Sequence, residues 1–147
     1  HFHARFNAKR RTYEYLIINR PSLLSIDRGK AWHVKKKINM NILKKGGKLL
    51  KGTHDFSTFR ASSCTAKSPI KKIDSVVIKK NKEKIYIKFI SKSFLQTQVR
   101  SMVGSLKYLS TGKWSVSDFK NAMRSKNRAN CAPPAPAEGL YLVDVKY

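Results

Sequence analysis

The chain has 147 residues, enough for one domain with its own core, and 41% hydrophobic with 10% aromatic residues is a globular rather than a disordered composition. Lys and Arg number 32 against 8 Asp and Glu, and the net charge of +24 favours a polyanionic partner; interspersed aromatics favour nucleic acid, with compositional drift towards Lys, Asn and Ile as the competing origin. No apolar run reaches membrane-spanning length and no signal peptide is visible.

In chain order, "RTYEYLII" (11–18) reads as a strand with Arg11, Tyr13, Tyr15 and Ile17 on one face. "NRPSLLSIDRGKAW" (19–32) is loop-like, punctuated by Pro21 and Gly29. "NMNILKKGGKLLKG" (39–52) places Ile42, Leu43, Leu49 and Leu50 at helical spacing, weakened by Gly46-Gly47 and stopped at Gly52. "IKKIDSVVIKK" and "EKIYIKFIS" bracket Asn81-Lys82 and predict a β-hairpin, with Ile85, Ile87 and Phe89 alternating.

"SFLQTQVRSMVGSLKYL" (93–109) predicts a helix whose apolar stripe is Leu95, Val99, Met102, Val103, Leu106 and Leu109. Arg100 sits on the flank of that stripe, and Gly104 occupies an interior position where glycine costs about 1 kcal/mol relative to alanine. "SVSD" (115–118) reads as a capping box opening another helix, with Phe119 and Met123 inward. "APPAPAEG" is a stiff extended connector, and "LYLVDVKY" closes the chain as a strand with Tyr141, Val143, Val145 and Tyr147 on one face. No internal repeat is present. The class is α+β, a mostly antiparallel sheet with helices packed on it, as a single domain over 1–147.

Local chemistry is sparse. Cys64 and Cys131 are far apart and read as reduced cytosolic thiols; with His1, His3, His33 and His54 they form no metal-ligand spacing. Of the five aspartates, Asp118 belongs to the cap, Asp74 and Asp144 lie in strands, and Asp27 and Asp55 complete no carboxylate pair suited to acid–base work. "GKWS" at 112 lacks the upstream glycine of a phosphate loop. The residues by themselves describe a basic α+β domain that binds RNA.

Four stretches reach further: "FHARFNAKRRTYEY" (2–15), "HDFSTFRA" (54–61), "FLQTQVRSMVGSL" (94–106) and "APAEGLYLVDVKY" (135–147). In their order and spacing they closely resemble the C-terminal part of the tRNA pseudouridine synthase A family. The resemblance implies isomerisation of uridine to pseudouridine at positions thirty-eight to forty of the tRNA anticodon stem-loop. It implies no cofactor, no membrane association, a cytoplasmic enzyme, and a homodimer when the protein is whole. By the same resemblance Tyr13 lines the uracil pocket and stacks on the extruded base, Arg100 pairs with the catalytic aspartate, and Leu142 gives the pocket an apolar wall. That aspartate sits in the family's "GRTDAG" segment, ahead of the part resembled here, and no such segment occurs in this chain. A non-catalytic basic RNA-binding module is therefore the alternative. In either case, separation from the family's other half leaves a sheet edge to be paired.

Overall fold

Alternation of apolar and polar residues in the sheet and three-to-four spacing in the helices converge on one shared core. The computed structural model describes residues 8–22, 29–62, 64, 66 and 68–147. The opening of the first motif (2–7), His1, His3, Asp27 and the middle of the 19–32 loop lie outside the described residues.

The elements are β1 (Arg10–Asn19), β2 (Trp32–Val34), α1 (Met40–Leu50), β3 (Gly52–Asp55), β4 (Ile70–Asn81), β5 (Lys84–Ser91), α2 (Gln98–Ser110), α3 (Val116–Ser125) and β6 (Leu140–Lys146). The described strands form one sheet in the order β2-β1-β5-β4-β3, and β6 pairs with the first half of β1 on the side where β2 takes the second half. Only the short β1–β2 pairing is parallel; the rest are antiparallel. The α+β architecture is as expected from sequence.

One sheet face carries the core. Tyr15 and Ile17 of β1 and Ile85, Ile87 and Phe89 of β5 meet Leu43 and Leu50 of α1 and Met102, Val103 and Leu106 of α2. Gly46 allows α1 and α2 to approach closely: a Cβ there would lie 2.6 Å from Leu106 Cδ2 and 2.7 Å from Leu109 Cδ2. The capping box of α3 is present in both directions, Asp118 N donating to Ser115 Oγ at 3.1 Å and Ser115 N to Asp118 Oδ2 at 2.9 Å.

Four local expectations are corrected. The helix expected over 93–109 begins only at Gln98, because Thr97 adopts a left-handed φ of 68° that an α-helix cannot continue through. Leu95 is nonetheless buried, and the Gln98 side chain accepts its backbone N–H at 2.8 Å, so a side chain takes the place of the missing first turn. The hairpin turns at Lys82-Glu83, with Lys82 at φ 56° and Asn81 paired to Lys84. Trp32, the end of the supposed loop, opens β2. In β6, a register shift between the partners of Thr12 and Tyr13 sets Asp144 across from Thr12 but Leu142 across from Tyr13, so Tyr141, Val143, Val145 and Tyr147 do not share one face. Tyr141, Leu142 and Val143 of this edge strand are exposed, as is Tyr147 just after it.

Candidate active-site cleft

A cleft of about 950 Å³ opens where β1, the end of β5 and the start of α2 meet, and Tyr13 and Arg100 both line it. Tyr13 is on the helix-facing side of β1, next to buried Tyr15, and its ring meets Phe94 edge-on at 5.2 Å and 83°. The segment between β5 and α2 forms one rim. Ser91 Oγ lies 2.6 Å from Lys72 O and accepts the Ser93 N–H at 3.3 Å, and Ala61 N donates to Gln96 O at 3.0 Å. The "HDFSTFRA" stretch thus braces the cleft without lining it. Its Thr58 hydroxyl in turn donates to Ala122 O of α3 at 2.8 Å.

Arg100 is held by the connector that precedes β6. Its Nε donates to Ala135 O at 2.7 Å, and its own carbonyl accepts Ala135 N at 2.9 Å. Gly104, one turn on, makes this docking possible: a Cβ there would stand 2.0 Å from Pro133 O. A close backbone approach is thus what the structure contains at this interior glycine. With Nε committed, the two terminal nitrogens of Arg100 remain for the cleft, and among the described residues they meet no carboxylate. Tyr15 packs behind, its hydroxyl donating to Pro136 O. Burial above all, then the negative charge of Glu138, holds that phenol far above its ordinary value, against the opposing pull of Arg100, so it stays a donor.

Four cations border the cleft: Arg11, Lys71, Lys92 and Arg100. Arg11 Nη1 donates to Lys92 O at 2.8 Å and Lys71 Nζ to Ser93 Oγ at 3.1 Å, so two of them are positioned by the rim. No Asp or Glu is among the described residues that line it. A cationic cleft with an aromatic pair in it can hold phosphates and stack a base; among its described lining residues it has no carboxylate nucleophile. Among the described residues no three His, Cys, Asp or Glu gather where a metal ion could sit, and no helix is long and apolar enough to cross a membrane.

Leu142 stands differently. It is the register partner of Tyr13 but is 53% exposed and lies beside the cleft, whereas Leu140 of the same strand is in the lining. Phe94, Lys71 and Lys92 escaped the sequence reading. The signal for Phe94 was its place just ahead of the Arg100 helix; Lys71 and Lys92 had none among so many lysines.

Sheet, arginine-bearing helix and carboxylate-free cleft define a mixed-sheet α+β protein built around a basic binding cleft. Residues 47–147 match the family described as tRNA pseudouridine synthase, and the chain belongs to that family. It is 58% identical over 146 residues to a tRNA pseudouridine synthase A from Pelagibacter ubique, 45% to one from Maricaulis maris and 43% to one from Caulobacter vibrioides. Each alignment covers 99% of this chain and 59% of the relative, so the chain spans well under two thirds of the relatives' length.

Proposed function

We propose that this chain supplies the substrate-binding surface and the arginine of an enzyme that isomerises uridine to pseudouridine in the anticodon stem-loop of tRNA, at positions thirty-eight to forty. The observation that carries the reading is Arg100, fixed through Nε and its carbonyl yet presenting its remaining guanidinium nitrogens to a cleft with no acidic lining. A planar guanidinium held this way fits a carboxylate by two parallel hydrogen bonds. In a closed pocket such a partner keeps the carboxylate ionised and therefore nucleophilic.

The reaction exchanges the base's glycosidic C–N bond for a C–C bond within one nucleotide. The base's C5 gives up its proton and its N1 gains one, so the oxidation level is unchanged and no redox partner is consumed; the resemblance implies no cofactor. A base inside a stem must be extruded before either bond can change, at a cost of a few kcal/mol that stacking and phosphate contacts offset. Tyr13, steadied edge-on by Phe94, is the stacking surface; Arg11, Lys71 and Lys92 take phosphates. Leu142 extends the apolar wall that Leu140 begins. The carboxylate comes from outside this chain, in the family's "GRTDAG" segment. The whole protein works as a cytoplasmic homodimer.

The 147-residue chain alone therefore binds tRNA and does not isomerise it. Incubation with labelled tRNA, with pseudouridine and bound fraction both measured, checks the two clauses separately. Turnover by the chain alone refutes the assignment of the nucleophile, and absence of binding refutes the role of the cleft.

A further inference from the structure

The far end of α2 gathers chemistry that the cleft does not use. Lys107 Nζ lies 5.7 Å from the ring centroid of Trp32 and 5.8 Å from that of Tyr108, and Lys113 Nζ lies 4.6 Å from the Tyr108 ring. Tyr108 and Trp114 meet edge-on at 5.3 Å. The exposed run Lys35–Lys37 follows directly on β2, and Asn39 N donates to Ser110 O at 2.9 Å, pinning that run beside the helix end. These residues come from two separate stretches of the sequence, yet share one surface.

Among the described residues none of Lys35, Lys36, Lys37, Lys107 and Lys113 is paired with a carboxylate. No Asp or Glu occurs between residues 29 and 54 or between 84 and 117, the two stretches that build this surface. The carbonyl end of a helix accounts for one lysine near it, at a few tenths to about 1 kcal/mol. It does not account for five. Among the described residues the large exposed hydrophobic ones lie on β4 and β6 and at Tyr147, not in this patch, which favours a charged partner over an apolar one. Lysines seated on half-buried rings are held in place with less loss of side-chain freedom on binding, and a polyanion of regular charge spacing gains most from such an array.

We propose that this end of α2 binds the phosphate backbone of a part of the tRNA other than the strand held in the cleft, an inference that rests on the tRNA reading above. The helix has 13 residues, about 20 Å at its rise of ~1.5 Å per residue, so the two sites are separated by several phosphate spacings. The 132–139 connector lies between them, docked on Gly104 and Tyr15. With the connector standing between the two sites, a folded RNA can reach both at once.

The test uses the full-length protein with Lys35, Lys36, Lys37 and Lys113 each changed to Gln, and in parallel to Arg. Affinity is measured against salt for a whole tRNA transcript and for its isolated anticodon stem-loop. The Gln variant is expected to bind whole tRNA more weakly, with a log–log salt slope smaller by about 0.9 for each phosphate it no longer neutralises. Its affinity for the stem-loop and its turnover at saturating tRNA stay at wild-type values, and the Arg variant binds like wild type. Equal weakening on stem-loop and tRNA overturns the proposal, as does an unchanged salt slope. Wild-type protein that fails to bind tRNA refutes the reading of the cleft; wild-type binding with an indistinguishable Gln variant refutes this inference alone. Both tryptophans of the chain, Trp32 and Trp114, lie in the patch, so in the 147-residue chain whole tRNA quenches their emission more than the stem-loop does.

Discussion

Replacing Gly104 with alanine sets a gain in helix propensity against a collision with the backbone. In a helix interior the change is worth about 1 kcal/mol in favour of alanine. The added methyl, however, would stand 2.0 Å from Pro133 O, 3.0 Å from Pro133 C and 3.3 Å from Ala135 N. These are main-chain atoms of a proline-stiffened connector and cannot rotate aside, so the connector must lift from α2. Overpacking of this kind costs roughly 1–3 kcal/mol. Lifting also breaks the reciprocal Arg100–Ala135 pair, two hydrogen bonds at roughly 0.5–1.5 kcal/mol each. Subtracting the propensity gain leaves a net destabilisation of about 1–5 kcal/mol.

Urea unfolding of wild-type and variant chains measures this directly, with the midpoint falling at constant m-value. Gly46→Ala is the internal control. It offers the same propensity gain, but its methyl meets the tips of Leu106 and Leu109, which can change rotamer. Gly104→Ala is therefore the more damaging of the two. A Gly104→Ala chain as stable as wild type, or more stable than Gly46→Ala, refutes the claim that the connector's backbone dictates this glycine.

Two further outcomes are expected. On the role proposed for Arg100, Arg100→Ala in the complete enzyme would leave a buried carboxylate without its partner, a loss of roughly 3–5 kcal/mol that slows single-turnover isomerisation about a hundredfold to a few thousandfold while tRNA affinity changes little; Arg100→Lys recovers part of the rate, and Arg100→Ala within about threefold of wild type refutes the role. Burial works to raise the Asp55 carboxyl, but hydrogen bonds from Ser57 and the charges of Lys126 and Arg60 outweigh it and hold the group below its ordinary value. Its contribution is thus present above the ordinary carboxyl range and lost as pH falls through the depressed folded value, so urea midpoints taken down a pH series fall more steeply through that range in wild type than in Asp55→Asn.

What the sequence makes legible follows the range of the forces involved. The α3 capping box is settled within four residues, Ser115 to Asp118, and is read correctly. The apolar stripe of α2 is a local period and its buried residues are right, but its start depends on Thr97 taking a left-handed φ that no pattern of side chains announces. Strand β2 is three residues long and parallel to β1, so Trp32–Val34 pairs with Ile17–Asn19 through a crossover that local alternation cannot reveal. The faces of β6 depend on a register shift that only its partner strand sets. At the site, Tyr13 and Arg100 came from resemblance, whereas Phe94, Lys71 and Lys92 required the fold to bring them to one cleft. The lysine–aromatic surface at the far end of α2 joins residues as distant as Trp32 and Trp114 and has no local signature.

A flank arginine and an interior glycine in one helix turn out to answer a single requirement. Val99, Met102, Val103 and Leu106 commit α2 to the core, which fixes the direction of its flank. Gly104 lets the connector lie against that flank, and Ala135 then grips Arg100 at both its carbonyl and its Nε. The same connector passes over Tyr15, whose hydroxyl donates to Pro136 O, and at Gly139 it is so close to β1 that a Cβ would sit 2.7 Å from Leu16 O. It thereby delivers β6 beside Tyr13, with Leu140 in the cleft. Positioning Arg100 and walling the pocket around Tyr13 are thus one packing event. Loosening the connector displaces the arginine and the apolar wall together, so damage at Gly104 reaches the cleft without any change to a residue that lines it.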